Sequence, residues 1–319
     1  MLAAAVLCLP AGASTGADRP PGAPDLAAMA LARADLPRRA EVDREGYYRD
    51  RFFVAAYVRE FSLGGARVGR SRLLSVTHDL GVESTAADAA TTFRELRAFL
   101  RRRSARETLA RELAREAGGT VSLVSVSRPT TARIGDGSVS IVIRLRARGR
   151  PIQAALTFLR VDRVIGIVAL VGAPRQRLYP ADADRLARLA ADRSRAGLLP
   201  TVVTPPAVTG DLHPGRALTT TRGTWTGDQI SFTYQWERCS DLAPDAEPVC
   251  VALQGANGPS YVVVPGDLAS SLRVTVTAEN RFAMVTAESP PSAVVTGGST
   301  PKASLAQTRV SIFAARTAD

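Results

Sequence analysis

The sequence predicts two domains of different class: an α+β first domain, with an antiparallel sheet and covering helices, followed by an all-β sandwich. Three observations predict this. Between Ser138 and Val171, strand-like runs follow one another across short polar turns, which favours an antiparallel meander. Two amphipathic helical stretches, near residues 84–118 and 180–197, flank the meander and supply a natural covering for one sheet. From Thr201 to Val295 the helical period disappears, and short alternating runs lie between turn residues, the pattern of a sandwich.

Met1 to Ala13 is an apolar run ending Ala11-Gly12-Ala13. It has the hydrophobic region and small-x-small end of a secretory leader, lacks the basic start, and is short for a bilayer span. An apolar, unstructured terminus is the plainer alternative. Cys8 follows Leu7, where a lipoprotein signal wants a small residue. Residues 14–34 are expected to be a linker, rich at first in Gly, Pro and Ala. No integral membrane span is expected anywhere in the chain.

Residues 35–199 are expected to form the α+β domain. Tyr47, Tyr48, Phe52, Phe53, Tyr57 and Phe61 concentrate its aromatics in a strand-rich stretch from Glu41 to Phe61, and Arg72 to Val82 reads as another strand. Thr85-Ala-Ala-Asp88 has capping-box spacing. Phe93, Leu96, Leu100, Leu109 and Leu113 follow at helical intervals as far as Gly118-Gly119, with a break near Ser104. Four strands come next: Thr120–Ser127, Ser138–Ala147, Ile152–Arg160 and Arg163–Val171. Val139, Ile141, Ile143 and Leu145 face inward, and the almost wholly apolar last strand should be central. A final helix starts at Pro180, with Asp182 and Asp184 at its positive end and Gly197 as its cap.

In residues 201–296, Phe232, Tyr234 and Trp236 alternate with Thr233, Gln235 and Glu237, the period of a half-buried strand. Leu272, Val274 and Val276 repeat the pattern. Trp225 and Trp236 are core anchors. Cys239 and Cys250 flank a polar loop. For an exported chain a disulfide is expected, worth roughly 3 kcal/mol, and free thiols are the alternative. A metal site would need further ligands.

These residues resemble the bacterial immunoglobulin-like modules of exported actinobacterial proteins. The matching positions are Gly223, Trp225, Gly227; Tyr234, Trp236, Arg238, Cys239; Cys250; Gly255, Ala256, Tyr261; and Asp267, Leu272, Arg273, Val274. The sequence departs from the pattern at Ala269, where such modules usually carry Gly. The resemblance implies a spacer, adhesion or display module without catalytic residues. The first domain is similar, in element order alone, to PsbP-type α/β/α sandwiches and to small actinobacterial sensor or lipoprotein domains. Residues 297–319 are expected to be a linker or unstructured tail.

The net charge is +11 over 319 residues. Residues 1–200 carry 33 Arg against 20 acidic residues, and residues 201–319 carry 8 basic against 10 acidic. Positive charge therefore belongs to the first domain. Arg144, Arg146 and Arg148 alternate along one strand and form the candidate anion-binding stripe. An anionic envelope polymer, lipid headgroups or another protein are the partners considered. Nucleic acid is disfavoured, because no stacking aromatics interleave with the arginines. There is no phosphate-binding glycine loop, nucleophile elbow or metal-ligand spacing, so no catalytic residue, cofactor or metal is assigned. His213 precedes Pro214 in a loop and reads as structural or exposed. The expectation is an exported, non-enzymatic envelope or extracellular protein. The alternative is a hydrolase or transferase using His78, with its site in residues 35–199.

Overall fold

A computed structural model describes residues 16–116, 121–128, 130–240 and 249–297. The expected leader at 1–13, the Gly118-Gly119 helix end, the loop between the cysteines at 241–248 and the tail beyond Gly297 lie outside them. The chain divides into two compact units. One takes the residues up to Thr204 with Thr224–Phe232 and Thr277–Val285; the other takes Pro205–Gly223, Thr233–Val276 and the residues from Thr286 on.

The first unit begins with α1 (Leu26–Met29), β1 (Glu41–Tyr48), β2 (Ala55–Val68) and β3 (Ser71–Val82). Helices α2 (Ala86–Arg101) and α3 (Arg103–Glu116) follow, then β4 (Val121–Val126), β5 (Gly137–Ala147), β6 (Arg150–Val161), β7 (Val164–Gly172) and α4 (Pro180–Leu198). The seven strands form one antiparallel sheet in the order β1-β2-β3-β7-β6-β5-β4. The apolar run expected to be central is β7, fourth of seven.

Alternation sends its side chains to two cores. Val164, Val168 and Leu170 pack with α1 and α4; Ile165 and Ile167 pack with α2 and α3. On β6, Leu159 and Val161 join the first core, and Leu156 and Phe158 the second. Helices thus cover both faces of the sheet, which is why β7 is apolar throughout rather than alternating.

Local chemistry sets the helix ends. Thr85 Oγ1 accepts from the Asp88 amide (3.1 Å), capping α2. The expected break near Ser104 falls at Arg102. There the Arg106 guanidinium donates to Leu100 O (2.7 Å) and Arg101 O (2.9 Å), satisfying carbonyls that a helix end leaves open.

Four details of the sequence reading change. Part of the expected linker at 14–34 is core: Ala23, Leu26, Met29, Ala30 and Leu31 are buried, so these apolar residues pack rather than span. Gly197 lies inside α4 rather than capping it; a Cβ there would stand 2.5 Å from Met29 Cγ, so the glycine admits the close approach of α1. Asp182 is not a solvated dipole charge. It is buried, and it accepts from the amides of Arg70 (3.0 Å) and Ser71 (2.8 Å) and from Ser71 Oγ (2.7 Å), clamping the β2–β3 turn to α4. Arg148 does not continue the β5 stripe; with Gly149 it makes a two-residue hairpin turn at φ 47° and 73°.

Short strands follow α4: β8 (Thr201–Thr204), β9 (Val208–Gly210), β10 (Ala217–Thr220), β11 (Thr224–Thr226), β12 (Ser231–Ser240), β13 (Val249–Ala252), β14 (Ser260–Val262), β15 (Ser271–Glu279) and β16 (Met284–Glu288). They form further antiparallel sheets, β14-β10-β9, β11-β8 and β13-β12-β15-β16. In the first unit, the Arg163 guanidinium donates to both Asp228 carboxylate oxygens (3.0 and 2.6 Å) and to Glu83 O (2.9 Å), and the whole group is buried.

In the second unit, Trp236 is fully buried. It donates through Nε1 to Gly258 O (3.0 Å) and stacks on Tyr261 at 5.7 Å. The buried Asp267 accepts from Arg238 Nε (2.8 Å) and Nη2 (2.5 Å), from Tyr261 Oη (2.8 Å) and from the Val264 amide (2.8 Å). Cys239 and Cys250 face each other across β12 and β13, with their sulfurs 2.03 Å apart.

Ala269 sits at φ 62°, in the left-handed region that costs a side-chain-bearing residue about 1–2 kcal/mol. Ala269→Gly should relieve that strain and give back about 0.5–1 kcal/mol through glycine's greater unfolded-state freedom. The expected net result is a small rise in melting temperature. A variant that melts below the parent would show that the backbone angle is not what favours glycine there.

Candidate functional site

Helix α4 packs on β6 and β7 and leaves part of the same face of β5 uncovered. Ser140, Val142 and Arg144 lie on that strip. A segment after β4 runs back beside it. The Ser127 amide donates to Val142 O (2.9 Å), the Val142 amide to Ser127 Oγ (3.0 Å), and Thr130 and Ser140 exchange backbone hydrogen bonds (2.9 and 2.8 Å). The segment leading into α4 closes the third side, held by the Leu178 amide donating to Gln153 Oε1 (2.9 Å).

The result is a cleft of about 390 Å³. Ala155, Leu178 and Ala183 are buried in its floor beside the half-buried Val142. Arg128, Arg144 and Arg177 stand exposed around it, with Ser127, Thr130, Thr131 and Ser140 supplying hydroxyls and Asp184 one carboxylate. Among the described residues, no carboxylate lies within ion-pair distance of these three arginines, in contrast to the pairs Arg59–Glu45, Arg103–Glu107 and Arg193–Asp35 elsewhere in the first unit. Arg177 lies over the Tyr179 ring, 5.3 Å from its centroid, which orients the guanidinium without neutralising it.

Of the predicted stripe, only Arg144 lines this cleft. Arg146 is exposed and donates to Gly149 O (3.3 Å), and Arg148 belongs to the turn. Sequence reasoning missed Arg128 and Arg177, which lie on different segments brought together only by the sheet. The available signal was Ser127-Arg-Pro-Thr-Thr, a polar stretch between two strands, which carries no periodicity.

A second cleft, of about 400 Å³, lies between α3 and β4 and is lined by Arg103, Arg106, Glu107, Arg111 and Arg128, the last bordering both clefts. Its charges are largely answered from within. Glu107 bridges Arg103 (2.7 Å) and Arg111 (3.6 Å), and Arg106 is spent on the end of α2. Among the described residues, only Arg128 of its guanidiniums has neither a carboxylate nor a helix end as partner.

His78, the candidate of the enzymatic alternative, lines neither cleft. It is fully buried in β3, and its Nδ1 accepts from the Leu31 amide (3.0 Å). Burial, reinforced by Arg59 and Arg193 and opposed by Asp35, pulls its pKa down to about 3. A neutral imidazole in a closed core has no access to substrate, which leaves the enzymatic alternative without its named candidate. On the opposite face, buried Asp79 accepts from Tyr48 Oη (2.7 Å). Burial raises its pKa to about 7, against the lowering effect of that hydrogen bond and of Arg44, and Asp50 adds to the rise. His213 is half-buried and hydrogen-bonds Asp211. Among the described residues, no group of three His, Cys, Asp or Glu side chains gathers as a metal site, and no helix is long and apolar enough to cross a membrane.

No protein-family model and no curated protein matches this chain. Among solved structures it is similar to the extracellular domain of PknH from Mycobacterium tuberculosis, at 12% identity and a TM-score of 0.36, over 58% of this chain and 100% of that one. A likeness of that size carries no functional inference.

The neighbouring buried groups His78 and Asp79 should give opposite pH dependences. The unfolded Asp ionises near 3.8 and the folded one near 7. Between those values the native state binds the extra proton, so this group lowers stability as pH rises, by at most about 1.4 kcal/mol per pH unit. For His78 the unfolded pKa of 6.5 exceeds the folded value, so stability falls as pH drops below 6.5. Asp79→Asn removes the first effect and keeps an acceptor for Tyr48. Its melting temperature should gain on the parent's from pH 4 to 7 and then hold a constant difference. Parallel curves for the two proteins would contradict the assignment.

Proposed function

We propose that this chain is an exported, non-enzymatic binding protein of the cell envelope or extracellular space. Its α+β domain, residues 35–199 with residues 23–34 packed into its core, takes a ligand bearing an acidic group. Residues 201–296 act as an immunoglobulin-like spacer or display module. One observation carries the reading: three arginines from separate segments surround one cleft without a carboxylate partner, in the half of the chain that holds the positive charge. The cysteine pair supports export. The network of Trp236, Arg238, Tyr261 and Asp267 supports the module, because it employs the residues that carry the family resemblance.

The test is co-sedimentation of the full chain with phosphatidylglycerol vesicles against phosphatidylcholine vesicles. Binding should be confined to the anionic vesicles and weaken steeply with salt. The triple change Arg128→Gln, Arg144→Gln, Arg177→Gln should cost on the order of 100-fold, at about 1 kcal/mol per arginine. The control change Arg146→Gln, Arg148→Gln should cost far less. Equal losses in the two variants, or equal binding to neutral vesicles, would overturn the proposal.

A further inference from the structure

We infer that the cleft over β5 holds a single amphiphile, one phosphate or carboxylate head on an apolar body, rather than a bare anion or a polyanion. This rests on the anion-binding reading above and specifies its ligand.

The argument begins with where polarity lies. The three guanidiniums are exposed, so they stand at the mouth. The surfaces beneath them are apolar: Val142 is half-buried, and Ala155, Leu178 and Ala183 are buried. A bare anion satisfied at the rim would leave the open apolar surface of the cleft, on Val142, Ala132 and Pro180, to water. An apolar body lying on it gains roughly fourfold in affinity per methylene removed from water. The volume of about 390 Å³ falls within the range of small-molecule sites, roughly 300–1,000 Å³.

Several polar groups within the cleft are already engaged, while the Thr131 hydroxyl and the Gln153 amide nitrogen stay open to a ligand. Ser140 Oγ bonds Thr157 Oγ1 (3.0 Å), Gln153 Oε1 accepts from Leu178, and Ser127 Oγ accepts from Val142. The arginines are the open cationic partners for a head. Asp184 lines the same cleft and opposes any acidic group beside it, a cost that grows with each further negative charge and so disfavours a polyanion. Mouth charge over an apolar floor, with one carboxylate inside, fits one acidic head on one chain.

Calorimetric titration of the full chain tests this, with every probe kept below its micelle concentration. The probes are inorganic phosphate, butyl phosphate, dodecyl phosphate, dodecanoate and dodecyltrimethylammonium. Affinity should climb from inorganic to butyl to dodecyl phosphate, reaching at least 100-fold over inorganic phosphate, with the cationic probe much weaker. Dodecanoate in parallel assigns the head as phosphate or carboxylate. Arg144→Gln should weaken dodecyl phosphate at least tenfold. Val142→Thr, close in shape but polar, should weaken dodecyl phosphate several-fold and leave inorganic phosphate unchanged; its melting curve checks folding.

If inorganic phosphate binds as tightly as dodecyl phosphate and remains sensitive to Arg144, the anion reading stands and the amphiphile inference falls. If the cationic probe binds as tightly as dodecyl phosphate, the site is merely apolar and the inference falls. If no acidic probe binds in an Arg144-dependent way, the anion-binding reading itself fails and takes the inference with it.

Discussion

Burial of the seven-stranded sheet on both faces is the constraint on which the first unit depends. A sheet covered on one side only can carry polar residues on every second position; one covered on both cannot. Hence β7 runs apolar from Val164 to Val171, and β6 and β7 feed both cores. The same constraint makes His78 and Asp79 costly, because adjacent residues of β3 point into opposite, equally dry layers. His78 accepts from the Leu31 amide, and Asp79 accepts from the Tyr48 hydroxyl. Each is driven toward its neutral form, the cheaper state in a dry interior.

The cleft follows from where that coverage ends. Helix α4 lies over β6 and β7, so the face of β5 beyond it is only partly roofed by the chain between β4 and β5. Apolar side chains that would have met a helix form a floor, and residues at the margin are free to be charged. That geometry gathers Arg128, Arg144 and Arg177 around one opening. Two buried arginines of the first unit are instead structural: Arg163 holds Asp228, and Arg106 finishes α2.

Most elements of the first unit were legible in the sequence, because period-2 and period-3.6 patterns report burial directly. The β5–β6–β7 meander and the start of α4 follow from alternation and from Pro180. What failed was information that periodicity does not hold. The short buried stretch at 23–31 has too few residues to show a period, so it looked like linker. Gly197 looked like a helix stop because a glycine needed for close packing and a glycine needed for a left-handed cap read alike. Asp182 looked like a dipole charge because its partners, Arg70 and Ser71, are far away in sequence. The site was less legible still. Alternation located Arg144, but it extended the stripe to Arg148, where the chain had already turned. Arg128 and Arg177 belong to irregular segments whose positions only the folded sheet defines. In the second unit the departure at Ala269 was visible in the sequence, and its physical meaning emerges from its positive φ.

The central claim is that the unpaired arginines around the β5 cleft bind an acidic group. Its most direct measurement is an NMR titration of the arginine side-chain Nε–Hε signals with dodecyl phosphate. The account predicts that the signals of Arg128, Arg144 and Arg177 move together and saturate at one equivalent, while those of Arg146, Arg148 and Arg103 stay in place. Shifts spread evenly over the exposed arginines, or centred on Arg103 and Arg111 beside α3, would contradict it.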